Sequence, residues 1–120
     1  SHPMAVQRLH IQKRYSEIAI SGNLVHLAGQ LAEDTQQDIE GQTQQTLALI
    51  DRLLADAGTE KSHIMSVMIF LKDIERDYAA MNQVWDAWVA DIQALPRTCV
   101  EAKLYHPDVL VEMTVVAVKP

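Results

Sequence analysis

Eight consecutive residues near the middle of the chain, Ile64-Met65-Ser66-Val67-Met68-Ile69-Phe70-Leu71, are apolar at nearly every position. The run is too short and too β-branched for a comfortable helix, and both of its alternating faces are apolar. It reads as a central strand that needs cover on two sides, and residues 109–118 have nearly the same character. Only two segments carry a helical period. From about Gly41, Leu47, Ile50, Leu53, Leu54 and Ala57 recur at helical spacing, with Gly58 where a left-handed C-cap would end the helix. Asp73 can cap a second helix whose apolar stripe is Tyr78, Met81, Trp85, Trp88, Val89 and Ile92, ended by the Leu95-Pro96 step. Two helices cover one side of such a sheet. The other side should be buried by another copy of the chain, which predicts a homo-oligomer with a ligand cleft between subunits.

The remaining segments complete the sheet. Residues 6–11, 15–20 and 24–28 read as short strands, and Gly22-Asn23 between the last two is a hairpin signal. Residues 36–45, rich in glutamine, read as a loop running into the first helix. Two further strands, about residues 98–105 and 109–118, are joined through His106-Pro107-Asp108. The predicted order is β-β-β-α-β-α-β-β, an α+β fold with a mixed six-stranded sheet and both helices on one face.

Composition narrows the partners. A chain of 120 residues corresponds to one domain, read as residues 4–120, with Ser1 to Pro3 taken as left over from expression. The net charge is −6 and no block of basic residues occurs, which argues against a nucleic-acid or anionic-membrane surface. Cys99 is the single cysteine, so the chain has no internal disulfide and a reducing compartment is expected. No apolar run approaches the ~18 residues of a membrane span, and the start lacks a signal-peptide pattern. A soluble, cytoplasmic protein with small or neutral partners is the expectation.

Few residues stand out as carriers of chemistry. In Pro96-Arg97-Thr98-Cys99-Val100 an arginine begins a strand directly after a proline, poised for bidentate pairing with a carboxylate; the plainer alternative is a surface arginine pairing with Glu101. Glu112 sits inside an otherwise apolar strand, where a carboxylate must find a partner, face water or take up a proton. A solvated edge position is the competing reading. Cys99 has no histidine at a spacing that proposes a base, and His10, His26, His63 and His106 form no metal-ligand pair, so no metal is expected. Trp85 and Trp88 read as core. Asn82 borders their stripe, where its amide either satisfies a neighbouring backbone group or looks into a cleft. With four glycines and no glycine-rich motif, a phosphate-cradling loop is close to excluded.

Several segments together resemble the Rid, or YjgF-like, family of enamine/imine deaminases. They are Leu24-Val25-His26-Leu27-Ala28-Gly29-Gln30, residues 42–58, Ile69-Phe70-Leu71-Lys72-Asp73, Met81-Asn82, Pro96-Arg97-Thr98-Cys99-Val100-Glu101 and Val111-Glu112. The likeness runs in order from about Tyr15, and the Pro-Arg-Thr-Cys-Val segment is its most specific piece. It implies a chorismate-mutase-like fold, a homotrimer with three intersubunit clefts, and no cofactor. It also implies that Arg97 binds a substrate carboxylate and that Glu112 orients or activates water. Gly29 and Cys99 would supply backbone hydrogen bonds, Asn82 would shape the cleft and Tyr15 would line it. Ala28 replaces the family's usual serine, Thr114 the second of two glutamates, and Lys13-Arg14 the Gly-Pro before the aromatic, as in a divergent subgroup.

The implied reaction is hydrolysis of a 2-imino acid to a 2-keto acid and ammonia, with Arg97 fixing the carboxylate and Glu112 holding the water. The apolar neighbours of Glu112 predict a carboxyl whose pKa is raised. Two rivals stand beside this: a non-catalytic module that binds a small carboxylate in the same cleft, which the loss of the serine hydroxyl at position 28 keeps open, and an RNA-cleaving enzyme, which the charge disfavours.

Overall fold

The computed structural model describes residues 5–120, so the reading of Ser1 to Pro3 lies outside the described residues. Three strands open the chain as an antiparallel meander, β1 (Gln7–Ile11), β2 (Ser16–Ser21) and β3 (Leu24–Gln30). Gly22, at φ 60°, makes the tight turn between β2 and β3 that the sequence signals. Helix α1 (Ile39–Asp56) follows, then β4 (Ile64–Leu71), helix α2 (Ile74–Trp88), β5 (Arg97–Glu101) and β6 (Val111–Val118). The strands form one mixed sheet in the order β1-β2-β3-β6-β4-β5, with β5 parallel to β4 and the other pairs antiparallel. Element order and the single helix-covered face are as the periodicity predicts.

Local chemistry sets the helix limits. The Asp38 carboxylate accepts the Gly41 amide at 2.9 Å and starts α1; Asp73 accepts the Arg76 amide at 3.0 Å and starts α2. Gly58, at φ 83°, follows the end of α1 in the left-handed conformation glycine tolerates. Helix α2 is shorter than its apolar stripe suggests and stops at Trp88, so Val89 and Ile92 lie beyond it. The Lys61 ammonium takes the Trp88 carbonyl at 2.6 Å, satisfying a terminal acceptor and turning the chain away. Strand β5 is likewise shorter than expected. It pairs only with β4, and that partner ends at Leu71, where the last bond runs from the Ala102 amide to the Leu71 carbonyl.

One core lies between helices and sheet. Leu47, Ile50 and Leu54 of α1 and Met81 and Trp85 of α2 pack on Ile18, Val25, Ile69, Leu71, Val111, Met113 and Val115. Alternation sends the intervening residues to the opposite face, where Leu24 is paired with Val118, His26 with Val116, Met68 with Thr114 and Phe70 with Glu112. No helix covers that face among the described residues, and it exposes Leu24 and, on β5, Val100. Replacing the fully buried Leu54 by alanine removes the centre of the α1 contact, and denaturant unfolding should show a loss of about 2–5 kcal/mol.

Candidate functional site

Arg97 begins β5 immediately after Pro96. Its Cα pairs with Val67 and that of Cys99 with Ile69, both residues of the helix-covered core, so alternation turns the Arg97 and Cys99 side chains towards α2. There the guanidinium is held by a small cradle. Nη2 donates to Asn82 Oδ1 at 2.7 Å and makes a longer contact of 3.4 Å to the Tyr78 hydroxyl. The Trp85 ring lies 5.1 Å from Cζ and the Tyr78 ring 5.9 Å, close enough for cation–π attraction. Nη1 is shut off from solvent and has no hydrogen-bond partner among the described residues. A guanidinium held in this way, with a donor still unmet, suits one or both oxygens of a carboxylate. The alternative pairing with Glu101 does not occur, because that carboxylate accepts the Ile74 amide at 3.1 Å and supports the start of α2.

The tryptophan platform continues inward. Trp85 and Trp88 lie 5.4 Å apart, and Trp88 Nε1 donates to Asp51 of α1 at 3.0 Å. Trp85 is therefore both core and the support beneath Arg97, a role its place on the apolar stripe does not reveal. Tyr78, read from its spacing as buried, is 43% exposed because it flanks the guanidinium instead. Cys99 is half-buried beside the same cradle, and burial pushes its thiol up despite the nearby Arg97, which suits an inert thiol rather than a nucleophile.

Glu112 lies on the other face. It falls between Val111 and Met113, which point into the core, and its Cα pairs with Phe70. It is half-buried with no ion-pair partner among the described residues, and desolvation raises its pKa above the ordinary value. Gly29 lets it lie there: a Cβ on that residue would fall on the Glu112 carboxylate, with Cδ only 2.9 Å away. The register between β3 and β6 slips between Leu27 and Gln30, so the strand bulges at Ala28 and Gly29 beside Glu112. Gln30, almost fully buried, donates to the Ala28 carbonyl at 3.1 Å and to Glu17 at 3.3 Å. An open depression of about 740 Å³ is bordered here by Tyr15, Glu17, Ala28, Gly29, Gln30 and Tyr105.

The expected site residues thus form two groups. Tyr15 and Gly29 border the depression and the Glu112 carboxylate lies against Gly29, while Arg97, Asn82 and Cys99 come together under α2. The structure does not bring Arg97 and Glu112 to one site within a single chain. Glu17 and Tyr105 were not singled out by the sequence; an exposed tyrosine in a loop carries no periodic signal, and Glu17 joins the group through Gln30 alone. No three His, Cys, Asp or Glu residues among those described cluster as metal ligands. His10 contacts Asp56 at 2.8 Å, and His106 accepts the Asp108 amide at 3.1 Å.

Fold and side chains together describe an α+β protein with a braced arginine at one sheet edge and a half-buried carboxylate on the uncovered face. Residues 5–119 match the profile of the family described as Endoribonuclease L-PSP. A RutC family protein of Haemophilus influenzae is 44% identical over 115 residues, covering 95% of this chain and 98% of that one. The RutC family protein YoaB of Escherichia coli is 40% identical over 114 residues, at 95% and 98% coverage. Among solved structures, a YjgF family member from Neisseria meningitidis superposes with a TM-score of 0.93 at 41% identity, covering 99% of this chain and 98% of that one. An uncharacterized Pseudomonas aeruginosa protein gives 0.92 at 43%, with 97% and 100% coverage. The chain belongs to the RutC/YjgF, or Rid, family.

The raised pKa of Glu112 has a definite sign. Burial favours the protonated form, so it adds stability below the ordinary value of 4.5, and this contribution is lost as pH rises through the folded value. Carboxyl carbon NMR should therefore give Glu112 a titration midpoint above the ordinary 4.5; a midpoint at or below that value would show a solvated side chain.

Proposed function

We propose that residues 4–120 act as one domain that hydrolyses 2-imino acids, the tautomers of enamine acids, to 2-keto acids and ammonia in clefts shared between copies of the chain. The observation that carries the reading is Arg97. A half-buried guanidinium, fixed by Asn82 and Trp85 and left with an unmet buried donor, is built to receive an anion of carboxylate shape. The net charge of −6 gives an anionic substrate no general attraction, so recognition falls to this local group.

The chemistry asks little beyond orientation and a proton path. With the carboxylate fixed by Arg97, the imine carbon is presented to water held by Glu112. Glu112 takes a proton from that water as its oxygen bonds to the imine carbon, and the imine nitrogen takes a proton from solvent to become an amine. Glu112 then returns its proton to that amine, and the carbinolamine expels ammonia as its hydroxyl gives its proton to solvent and becomes the carbonyl. A carboxyl with a raised pKa suits this two-way traffic. Backbone groups at Gly29 and Cys99 are the proposed further contacts, with Tyr15 lining the cleft.

The same geometry supports an assembly of more than one copy, and the proposed assembly is a homotrimer. Arg97 stands at the β5 edge facing α2 and Glu112 on the uncovered face, so a cleft using both takes them from different copies. The second copy would also bury Leu24 and Val100, which the uncovered face leaves exposed. Ala28 in place of a serine favours one further reading, a module that binds a keto acid without turnover.

Three measurements check these statements. Purified protein should accelerate ammonia release from 2-iminopropanoate or 2-iminobutanoate generated in situ, and Arg97→Ala should cut kcat/KM on the order of a hundredfold. Unchanged turnover in Arg97→Ala would sink the proposal, and thermal stabilisation by a keto acid without turnover would favour the binding module. Light scattering should give three times the mass of the 120-residue chain.

A further inference from the structure

The side chain of Gln42, in the first turns of α1, is fully buried and joins three segments of chain. Its amide nitrogen reaches the Thr35 carbonyl at 3.1 Å, the Gln37 carbonyl at 3.0 Å and the Asp108 carbonyl at 2.9 Å. Its oxygen accepts the Leu110 amide at 3.0 Å. Thr35 and Tyr105 both border the depression that Gly29 lines, and Leu110 stands two residues before Glu112. The Leu110 carbonyl is taken by the Lys72 amide at 3.0 Å, so the chain leading into β6 is held from both sides. Among the described residues Gln36 also bridges these two loops, and its bond to Asp108 is on the surface.

We propose that Gln42 is a positioning residue of the Glu112 half-site. It fixes the loop that precedes β6 against the loop that precedes α1, and so sets where the Glu112 carboxylate stands over Gly29. The role of Glu112 rests on the deaminase reading; the brace itself does not. A buried amide serving four backbone groups is costly to replace, because each partner left unpaired loses its compensation for burial. An apolar residue of the same length would let the two loops separate. Water would then reach Glu112, and its carboxyl would move back towards the ordinary value.

Gln42→Met keeps the volume and removes every bond. In this variant kcat for imine hydrolysis should fall on the order of tenfold, since small displacements of a reacting group are costly, while KM changes by less than roughly threefold because Arg97 still holds the carboxylate. The acid limb of the kcat/KM profile should move to lower pH. Leu54→Ala, matched in lost thermal stability, should keep kcat within about twofold and leave the limb in place. A Gln42→Met protein with kcat and acid limb unchanged overturns the proposal, as does Leu54→Ala reproducing the same shift. Hydrogen exchange on the unmodified protein needs neither variant nor substrate. The Leu110 amide should be protected as strongly as the β6 amide of Met113, and exchange at the rate of an open loop overturns the brace. Failure of the unmodified protein to hydrolyse any imine contradicts the deaminase reading, and the exchange measurement still decides whether Gln42 holds the loop.

Discussion

Two helices on one face of a six-stranded sheet create the asymmetry on which the rest of the molecule depends. Every strand that lends Ile69, Val111 or Met113 to the covered face must send the residue beside it the other way, so Phe70 and Glu112 go to the face that no helix covers. The same alternation in β5 turns Arg97 and Cys99 under α2. One packing decision therefore separates the positive group from the carboxylate that the proposed chemistry needs together. In the proposed reading a single copy would carry two halves of a site, and the apolar surface left uncovered would be the means by which copies unite them.

Each half is stiffened by the same α/β layer that separates them. Arg97 rests on Trp85, which touches Trp88, which is bonded to Asp51 of α1. Glu112 is packed over Gly29, on a strand whose approach is tied to α1 by Gln42. Helix α1 thus reaches both halves, one through its middle and one through its first turns. Such support lets polar groups keep one geometry inside a small domain, where an unpaired buried donor or acceptor typically costs about 1–3 kcal/mol. Arg97 Nη1 departs from that rule, and an unmet donor beside a fixed cation is what an anion site would leave open.

The elements were legible because their signals are local. The apolar run of β4, the period of α1, the Gly22 turn and the Asp73 cap each lie within one element, and each appears as expected. What escaped depends on contacts between distant parts. Helix α2 ends early because Lys61, 27 residues earlier, takes the Trp88 carbonyl. Tyr78 lies on the right spacing to be buried and is instead drawn to Arg97. Arg97 stands out after a proline and Glu112 inside an apolar strand, but no spacing between them indicates that they face opposite ways; that follows from the pairing of β5 and β6 with β4. Gln42 looked like one of several glutamines at a loop, since composition does not distinguish an exposed amide from one that bonds four backbone groups.

The most direct measurement mixes two damaged proteins. Arg97→Ala and Glu112→Gln chains, each inactive alone, are unfolded together in equal amounts and refolded, and imine hydrolysis is assayed once native mass spectrometry shows mixed oligomers. If each cleft takes Arg97 from one copy and Glu112 from its neighbour, random assembly leaves about one cleft in four with both residues, and about a quarter of the unmodified activity should return. Mixed oligomers as inactive as either parent would contradict a cleft shared between copies.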